Sequence, residues 1–197
     1  MNNVRVEKLR DDVVGIKPIY TERGNASELF LADGRVLLDF RSLEAVLNGL
    51  LLSYGLEPKV QRKYIRASLG RKSILPFFLP RGRVFIPVKM RSPVAAGDNV
   101  YGYVDRRYIV GIEDLGKKAS MITLSNGLSL EVLSKRDTVL KSEDAGKRLK
   151  AILDKEEKPL DADSRKMQEL MLLGGWLIKR IIQQLDRIER VLDRKDN

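Results

Sequence analysis

Cysteine and histidine are both absent from this chain of 197 residues. Without cysteine there is no disulfide framework and no thiolate site. Without histidine there is no His-Cys zinc site, no Ser-His-Asp triad and no Cys-His pair. The N-terminal residues 1–12 are polar, unlike a signal peptide, and the longest apolar run, near residues 170–178, is too short to span a bilayer. We therefore expect a soluble, cytoplasmic protein that does not contact a membrane.

No group of residues has the pattern of a catalytic, cofactor or metal site. Adjacent acids occur only in polar stretches, where nothing would bury a carboxyl group and raise its pKa. The segment Gly70-Arg71-Lys72-Ser73 resembles the end of a phosphate-binding loop, but the first glycine of that motif is replaced by Ile65. We therefore expect a protein that is not an enzyme and that uses no cofactor and no metal.

Positive charge is concentrated in one window of the chain, from Lys59 to Arg91, which contains no acidic residue. Its ten basic residues are Lys59, Arg62, Lys63, Arg66, Arg71, Lys72, Arg81, Arg83, Lys89 and Arg91. The whole chain has 37 basic and 27 acidic residues, a net charge of +10, so the chain outside the window is neutral. A concentrated field of one sign attracts a polyanion. The alternative is a solvated basic face without a ligand.

The pattern of apolar residues and turns predicts a β-rich α+β fold made of hairpins and short helices. Asp33-Gly34 and Asn126-Gly127 have the composition of tight hairpin turns. Ser42 is the predicted N-cap of a helix that ends near Gly55, and Pro58 opens a second helix that stops at Gly70. Strands are expected at residues 74–79 and 84–90, joined by a turn that exposes Arg81 and Arg83.

Two parts of the chain are expected to be related. Val14-Gly15-Ile16 recurs as Val110-Gly111-Ile112, and apolar residues and the turn glycine recur at a constant offset between residues 31–47 and 124–140. The pattern of each copy predicts a strand, a hairpin and the start of a helix. The sequence therefore suggests an internal repeat of residues 14–47 in residues 110–140. A repeated unit would suit repeated DNA half-sites.

The end of the chain has a heptad pattern. After a linker at residues 158–163, a long helix is expected over residues 164–197, with apolar or small residues at alternating steps of four and three. Its predicted oligomerisation positions are Met171, Gly174, Ile178, Ile181, Leu185, Ile188 and Leu192. The pattern predicts a homo-oligomer, while packing of this helix on its own domain is the alternative.

Nucleic acid fits the basic window better than other polyanions do. Six of the ten charges are arginines, which suit phosphates and narrow minor grooves. Aromatic residues lie among the charges and would stack on unpaired bases in a single-strand binder. Because Phe77, Phe78 and Phe85 lie in apolar strand segments, we expect them in the core, which favours duplex DNA. An RNA-binding protein and an adaptor that binds a partner through its C-terminal helix are the alternatives.

Residues 14–140 resemble the ComK family of competence transcription factors. The resemblance rests on Ser53-Tyr54-Gly55, Arg62-Lys63, Leu69-Gly70, Ile74-Leu75-Pro76, Val84-Phe85-Ile86-Pro87, Tyr101–Val104 and Ile122–Val132. It implies a DNA-binding domain over residues 1–157 that activates transcription. It also implies binding to A/T-rich duplex DNA, largely through the backbone and the minor groove. The C-terminal heptad helix has no counterpart in this resemblance.

The second half of this domain is also similar to LytTR DNA-binding domains, from Tyr103 to the Asn126-Gly127 hairpin. That similarity adds Arg106 and Arg107 to the expected contacts. The full set of predicted DNA-binding residues is Arg62, Lys63, Arg66, Arg71, Lys72, Arg81, Arg83, Lys89, Arg91, Arg106 and Arg107.

Overall fold

Two antiparallel sheets and three α-helices build the part of the chain described by the computed structural model, residues 4–72 and 74–156. The chain divides into one unit of residues 1–156 and a second of residues 157–197. The predicted linker, the heptad helix and its oligomerisation positions therefore lie outside the described residues. Within these residues the prediction of a β-rich α+β fold is confirmed.

The first sheet has six strands in the order β3-β2-β1-β6-β5-β4, and the second has three in the order β7-β8-β9. The strands are β1 (Val13–Thr21), β2 (Gly24–Leu31), β3 (Val36–Asp39), β4 (Phe77–Leu79), β5 (Arg83–Lys89), β6 (Tyr101–Asp105), β7 (Ile109–Asp114), β8 (Ser120–Leu124) and β9 (Ser129–Val132). The helices are α1 (Leu43–Ser53), α2 (Pro58–Leu69) and α3 (Arg136–Glu156). No helix of residues 4–72 and 74–156 combines the length and the apolar character needed to cross a membrane.

Local sequence signals set the ends of the first two helices. The Ser42 hydroxyl accepts a hydrogen bond from the Ala45 N–H at 3.4 Å and caps α1. Pro58 occupies the first turn of α2, where its missing N–H leaves no helical bond unmade. Gly70 ends α2 with a φ of +62°, a conformation that glycine adopts without strain. Both helices therefore begin and end where the sequence predicts.

The core consists of three clusters of buried side chains. In the first, α1 covers one face of the six-stranded sheet through residues such as Val46 and Leu50. In the second, the other face of that sheet meets the three-stranded sheet and the start of α3. In the third, Ile65 of α2 and Leu149 of α3 meet above β5. This packing fixes α1, α2 and α3 against the six-stranded sheet.

The two segments with related sequences adopt the same arrangement of three strands and a helix. β1 pairs with β2 in the register in which β7 pairs with β8, and both pairs are irregular at the same point, around Val14 and Val110. The buried Ser27 hydroxyl donates to the carbonyl of Arg41 at 3.0 Å, and the equivalent Ser120 hydroxyl donates to the carbonyl of Ser134 at 2.8 Å. This correspondence covers the segments 14–47 and 110–140.

The hairpin turns of these two segments touch each other. The Asn126 side-chain amide donates to the carbonyl of Leu31 at 2.7 Å. Val14 and Phe30 of the first segment share a buried cluster with Ile122 and Leu124 of the second. The two segments therefore pack on each other.

One strand is shorter than its predicted extent. The strand expected at residues 74–79 is only β4, because Ile74 has a φ of +53° and Pro76 has no N–H to donate.

The charged segment that follows β9 forms α3, from Arg136 to Glu156. Pairs four residues apart, such as Glu143 with Lys147, support this polar helix.

Candidate nucleic-acid interface

Three cavities beside α1, α2 and the start of α3 share lining residues, and we describe them together as one groove. The central cavity, about 300 Å³, lies between α1, α2, residues 74–77 and β6. A second, about 360 Å³, is lined by Arg71, Lys72 and Ile74, the end of β5 and the start of α3. A third, about 200 Å³, lies between α1 and the start of α2. Arg62 borders the central and third cavities, and Lys72 and Tyr101 border the central and second.

Most of the charged side chains that line this groove are positive. They are Lys59, Arg62, Arg66, Arg71, Lys72, Lys89 and Lys141, and we call these residues the basic groove. The acidic residues among the lining are Glu44 and Glu57. Five of the residues predicted to contact DNA are therefore brought together. Lys59 belongs to the charged window, whereas Lys141 lies on α3 and was not predicted from the sequence.

Helix α2 presents its cations because its opposite face is fixed. Gln61 is buried and forms two hydrogen bonds with the backbone of Phe78, donating to its carbonyl at 2.9 Å and accepting from its N–H at 3.4 Å. Ile65 is buried in the cluster beneath the helix. Arg62 and Arg66 are therefore exposed and line the groove, whereas Lys63 is exposed but does not line it.

The predicted DNA contact of Arg83 is corrected by the structure. Its side chain is 5% exposed and forms an ion pair with Asp105, which is fully buried, at 3.0 Å. The guanidinium also donates to the carbonyl of Arg10 at 3.0 Å and to that of Val13. Arg83 is therefore a structural residue whose hydrogen-bonding groups are used inside the protein, and no phosphate can reach it.

Three further predicted contacts lie away from the groove. β5 runs from Arg83 to Lys89, about 20 Å at the usual rise of a strand. Arg81 is exposed beside the Arg83 end, so it does not belong to the basic groove. Arg107 pairs with Asp105 at the same end of the sheet, at 3.0 Å. Arg106 packs its Cδ against α3 near Gly146, and its Nε is buried there without a partner among the described residues.

Arg91 anchors a loop beside the groove. Its guanidinium lies 3.9 Å from the centre of the Tyr20 ring, donates to the Asn25 side chain at 2.7 Å and donates to the carbonyl of Asn99 at 2.7 Å. These contacts hold the segment 92–99, which ends at a residue of the central cavity. Arg91 therefore positions a wall of the groove, in contrast to its predicted role as a contact with DNA.

Asp98 organises the same loop, which makes the loop sensitive to acid. Its carboxylate accepts from the Tyr20 hydroxyl, from the Ala95 N–H at 2.7 Å and from the Val94 N–H at 2.9 Å. The hydrogen bond from Tyr20, followed by those from Ala95 and Val94, lowers the pKa of Asp98 from 3.8 to about 2. A lowered pKa in the folded state stabilises the loop above pH 4 and loses that effect as the pH falls towards 2.

We expect the amide protons of Val94 and Ala95 to be protected from exchange at pH 5 and to lose protection between pH 4 and 2, as measured by NMR. Asp98→Asn is the matched control, because its side chain has no such titration and its exchange should show no step in this range. An Asp98 that titrates near 3.8 would contradict this role.

The aromatic residues of the charged window belong mostly to the core. Phe77 and Phe85 are buried and stacked, with ring centres 4.7 Å apart. Phe78 meets Tyr64 edge to face, and the Tyr64 hydroxyl donates to Glu156 at 2.7 Å. The groove itself is lined by two tyrosines, Tyr101 and Tyr103, and by Phe77. It therefore lacks the row of exposed rings typical of a single-strand binder.

No protein-family model, curated protein or solved structure matches the chain. Among residues 4–72 and 74–156, no cluster of three or more acidic side chains has the geometry to hold a metal ion. The arrangement of the basic groove is therefore the observation on which a function is proposed.

Proposed function

We propose that the protein is a DNA-binding transcriptional regulator, similar to the ComK family, that holds duplex DNA along the basic groove. The observation that carries this proposal is the convergence of seven cations from α2, residues 71–72, β5 and α3 on one continuous groove. Backbone phosphates repeat along a duplex, so a row of cations binds several at once. The five predicted contacts in the groove take this role: Arg62, Arg66, Arg71, Lys72 and Lys89.

The two related segments favour a repeated DNA site. Asn48 of α1 and Lys141 of α3 occupy equivalent positions in the two segments, and both line the groove. These two helices lie beside the two cavities that share Lys72 and Ile74, so they would contact similar features of the duplex twice. This arrangement supports recognition of two related half-sites.

Sequence preference would come from the shape of the duplex. A/T-rich DNA has a narrow minor groove with a strong negative potential that attracts arginine. The resemblance to ComK implies the same preference and implies activation of transcription. The side chains of Asn48, Asn99 and Tyr101 in the groove are the nearest candidates for contacts with base edges.

Equilibrium competition between nucleic acids tests this function. At one salt concentration the full chain should bind an A/T-rich duplex more tightly than a G/C-rich duplex of the same length, because the narrow minor groove strengthens arginine contacts. Fluorescence anisotropy of a labelled duplex measures both affinities. Structured and single-stranded RNA of equal length serve as competitors. If the chain bound either RNA more tightly than the A/T-rich duplex, RNA binding would replace DNA binding as the proposed function. If it bound neither DNA nor RNA, the result would favour an adaptor that binds a partner through its C-terminal helix.

We also propose that the chain forms a homo-oligomer through its C-terminal heptad positions. Ile178→Asp places a charge at one of the predicted oligomerisation positions and should dissociate the oligomer. Sedimentation velocity of the unmodified chain and of the Ile178→Asp variant measures the change. Lys179→Asp, at the next residue and outside the predicted oligomerisation positions, is the control that should leave the assembly intact. An unmodified chain that sediments as a monomer would contradict this proposal, as would an unchanged assembly of the Ile178 variant.

A further inference from the structure

The central cavity has an apolar floor. Six side chains from α1, α2 and residues 75–77 form it: Leu43, Leu47, Leu51, Ile65, Leu75 and Phe77. The three leucines of α1 follow one another at intervals of four residues and therefore lie on one face of that helix. Five of the six side chains are aliphatic, so the floor suits a flexible hydrocarbon chain better than a flat aromatic ring.

The charged residues around this floor are mostly basic. Arg62, Arg66 and Lys72 line the cavity together with one acid, Glu44. Both arginines are exposed and form no ion pair with another described residue, so their guanidinium groups are available to a ligand. A guanidinium binds a carboxylate through two parallel hydrogen bonds, which favours a planar anionic group at this position.

A tyrosine adds a polar group to the same cavity. The Tyr103 ring packs edge to face on Phe77, with centres 5.1 Å apart, and its hydroxyl has no hydrogen-bond partner among the described residues. Burial raises the pKa of Tyr103, and the nearby charge of Arg62 acts in the opposite direction. A neutral hydroxyl close to a guanidinium is a second donor for an anion. The amide of Gln61 is not available, because both of its polar atoms bind Phe78.

We propose that the central cavity binds a medium-chain carboxylate. The hydrocarbon chain lies on the apolar floor, and the carboxylate accepts hydrogen bonds from Arg62, Arg66 and the Tyr103 hydroxyl. A cavity of about 300 Å³ is at the small end of ligand sites, which suits an unbranched acid of about eight carbons. This ligand site goes beyond DNA binding and stands without it, because it depends on the cavity alone.

Isothermal titration of the full chain with octanoate tests the site. We expect saturable binding of one octanoate per chain with a Kd on the order of 0.1 mM. 1-Octanol, which has the chain without the charge, and acetate, which has the charge without the chain, should each bind at least about tenfold more weakly. Binding that does not saturate below about 5 mM would overturn the proposal, as would equal binding of octanoate and 1-octanol.

Two variants of one helix separate this site from general attraction to a basic surface. Arg66→Gln removes a charged donor from the cavity and should weaken octanoate binding about tenfold. Lys63→Gln removes the same charge from an exposed position outside the cavity and should leave the Kd unchanged. Thermal melts of both variants check that they are folded. Equal weakening by the two substitutions would overturn the site.

The outcome for octanoate is separate from the outcome for DNA. Octanoate binding without duplex binding would keep the ligand site and remove the proposed function. Duplex binding without octanoate binding would keep the proposed function and remove the ligand site.

Discussion

Replacing Asp105 with alanine should lower the free energy of unfolding by about 3 to 5 kcal/mol, because it leaves the buried Arg83 without its counter-charge. Asp105 is fully buried, and its carboxylate accepts hydrogen bonds from Arg83 at 3.0 Å and from the backbone N–H of Arg107 at 3.1 Å. The Arg83 guanidinium has only carbonyl groups and the Tyr54 hydroxyl left as partners after the substitution. Urea denaturation monitored by circular dichroism measures the loss.

Two controls distinguish the buried pair from charge removal in general. Asp144→Ala breaks an exposed pair with Arg148 on α3 and should cost less than about 0.5 kcal/mol. The double substitution Arg83→Met with Asp105→Leu removes both charges and should recover most of the stability lost in the single variant. A loss below about 1 kcal/mol for Asp105→Ala would contradict a structural role for this pair.

Replacing Arg62, Arg66 and Lys72 together with glutamine should weaken binding to an A/T-rich duplex by about two orders of magnitude at 0.15 M salt. Each lost phosphate contact removes a factor of about five at this salt concentration, because the binding constant scales with salt to the power −0.9 per contact. The side chains of all three residues are exposed and line the basic groove, so the variant should remain folded. Fluorescence anisotropy at fixed salt measures the change.

A variant with the same net charge tests whether position matters. Lys117, Lys118 and Lys155 are exposed and do not line the basic groove. Their joint replacement with glutamine should change duplex affinity less than about threefold, since distant charges are screened within about 10 Å at this salt concentration. Equal weakening by the two triple variants would show that net charge and not the groove attracts DNA.

Local signals in the sequence predict the hairpin turns and the helix ends well. The turns at Asp33-Gly34 and Asn126-Gly127, the Ser42 cap and the Gly70 stop each depend on residues within a few positions, so the sequence contains the information needed. The register of the two related segments follows from the same turns. The local pattern does not predict that β6 lies between β1 and β5, because that pairing joins distant parts of the chain.

The charged window predicts where cations are abundant but not where each one points. Arg83 is predicted to be exposed because it follows a turn, but its partner Asp105 lies 22 residues along the chain and becomes a neighbour only in the sheet. Arg91 likewise donates to Asn25, which lies 66 residues away along the chain. Burial of a charge depends on its partners, and a single sequence does not show partners that tertiary structure supplies.

The basic groove itself includes residues that the window does not. Tyr101 and Lys141 come from β6 and α3, and they meet Lys72 only because both elements pack beside the end of β5. The equivalence of Asn48 and Lys141 offered a signal, since the repeat places both on the same turn of their helices. Six of the groove's seven cations belong to the charged window, and the fold adds the seventh.

The salt dependence of duplex binding by the full chain tests DNA binding most directly. The seven cations of the basic groove predict that the logarithm of the binding constant falls with the logarithm of salt concentration with a slope of roughly −5 to −7 per chain. The triple variant of Arg62, Arg66 and Lys72 should reduce the steepness by about three. A slope for the unmodified chain shallower than about −2 would contradict a DNA-binding groove.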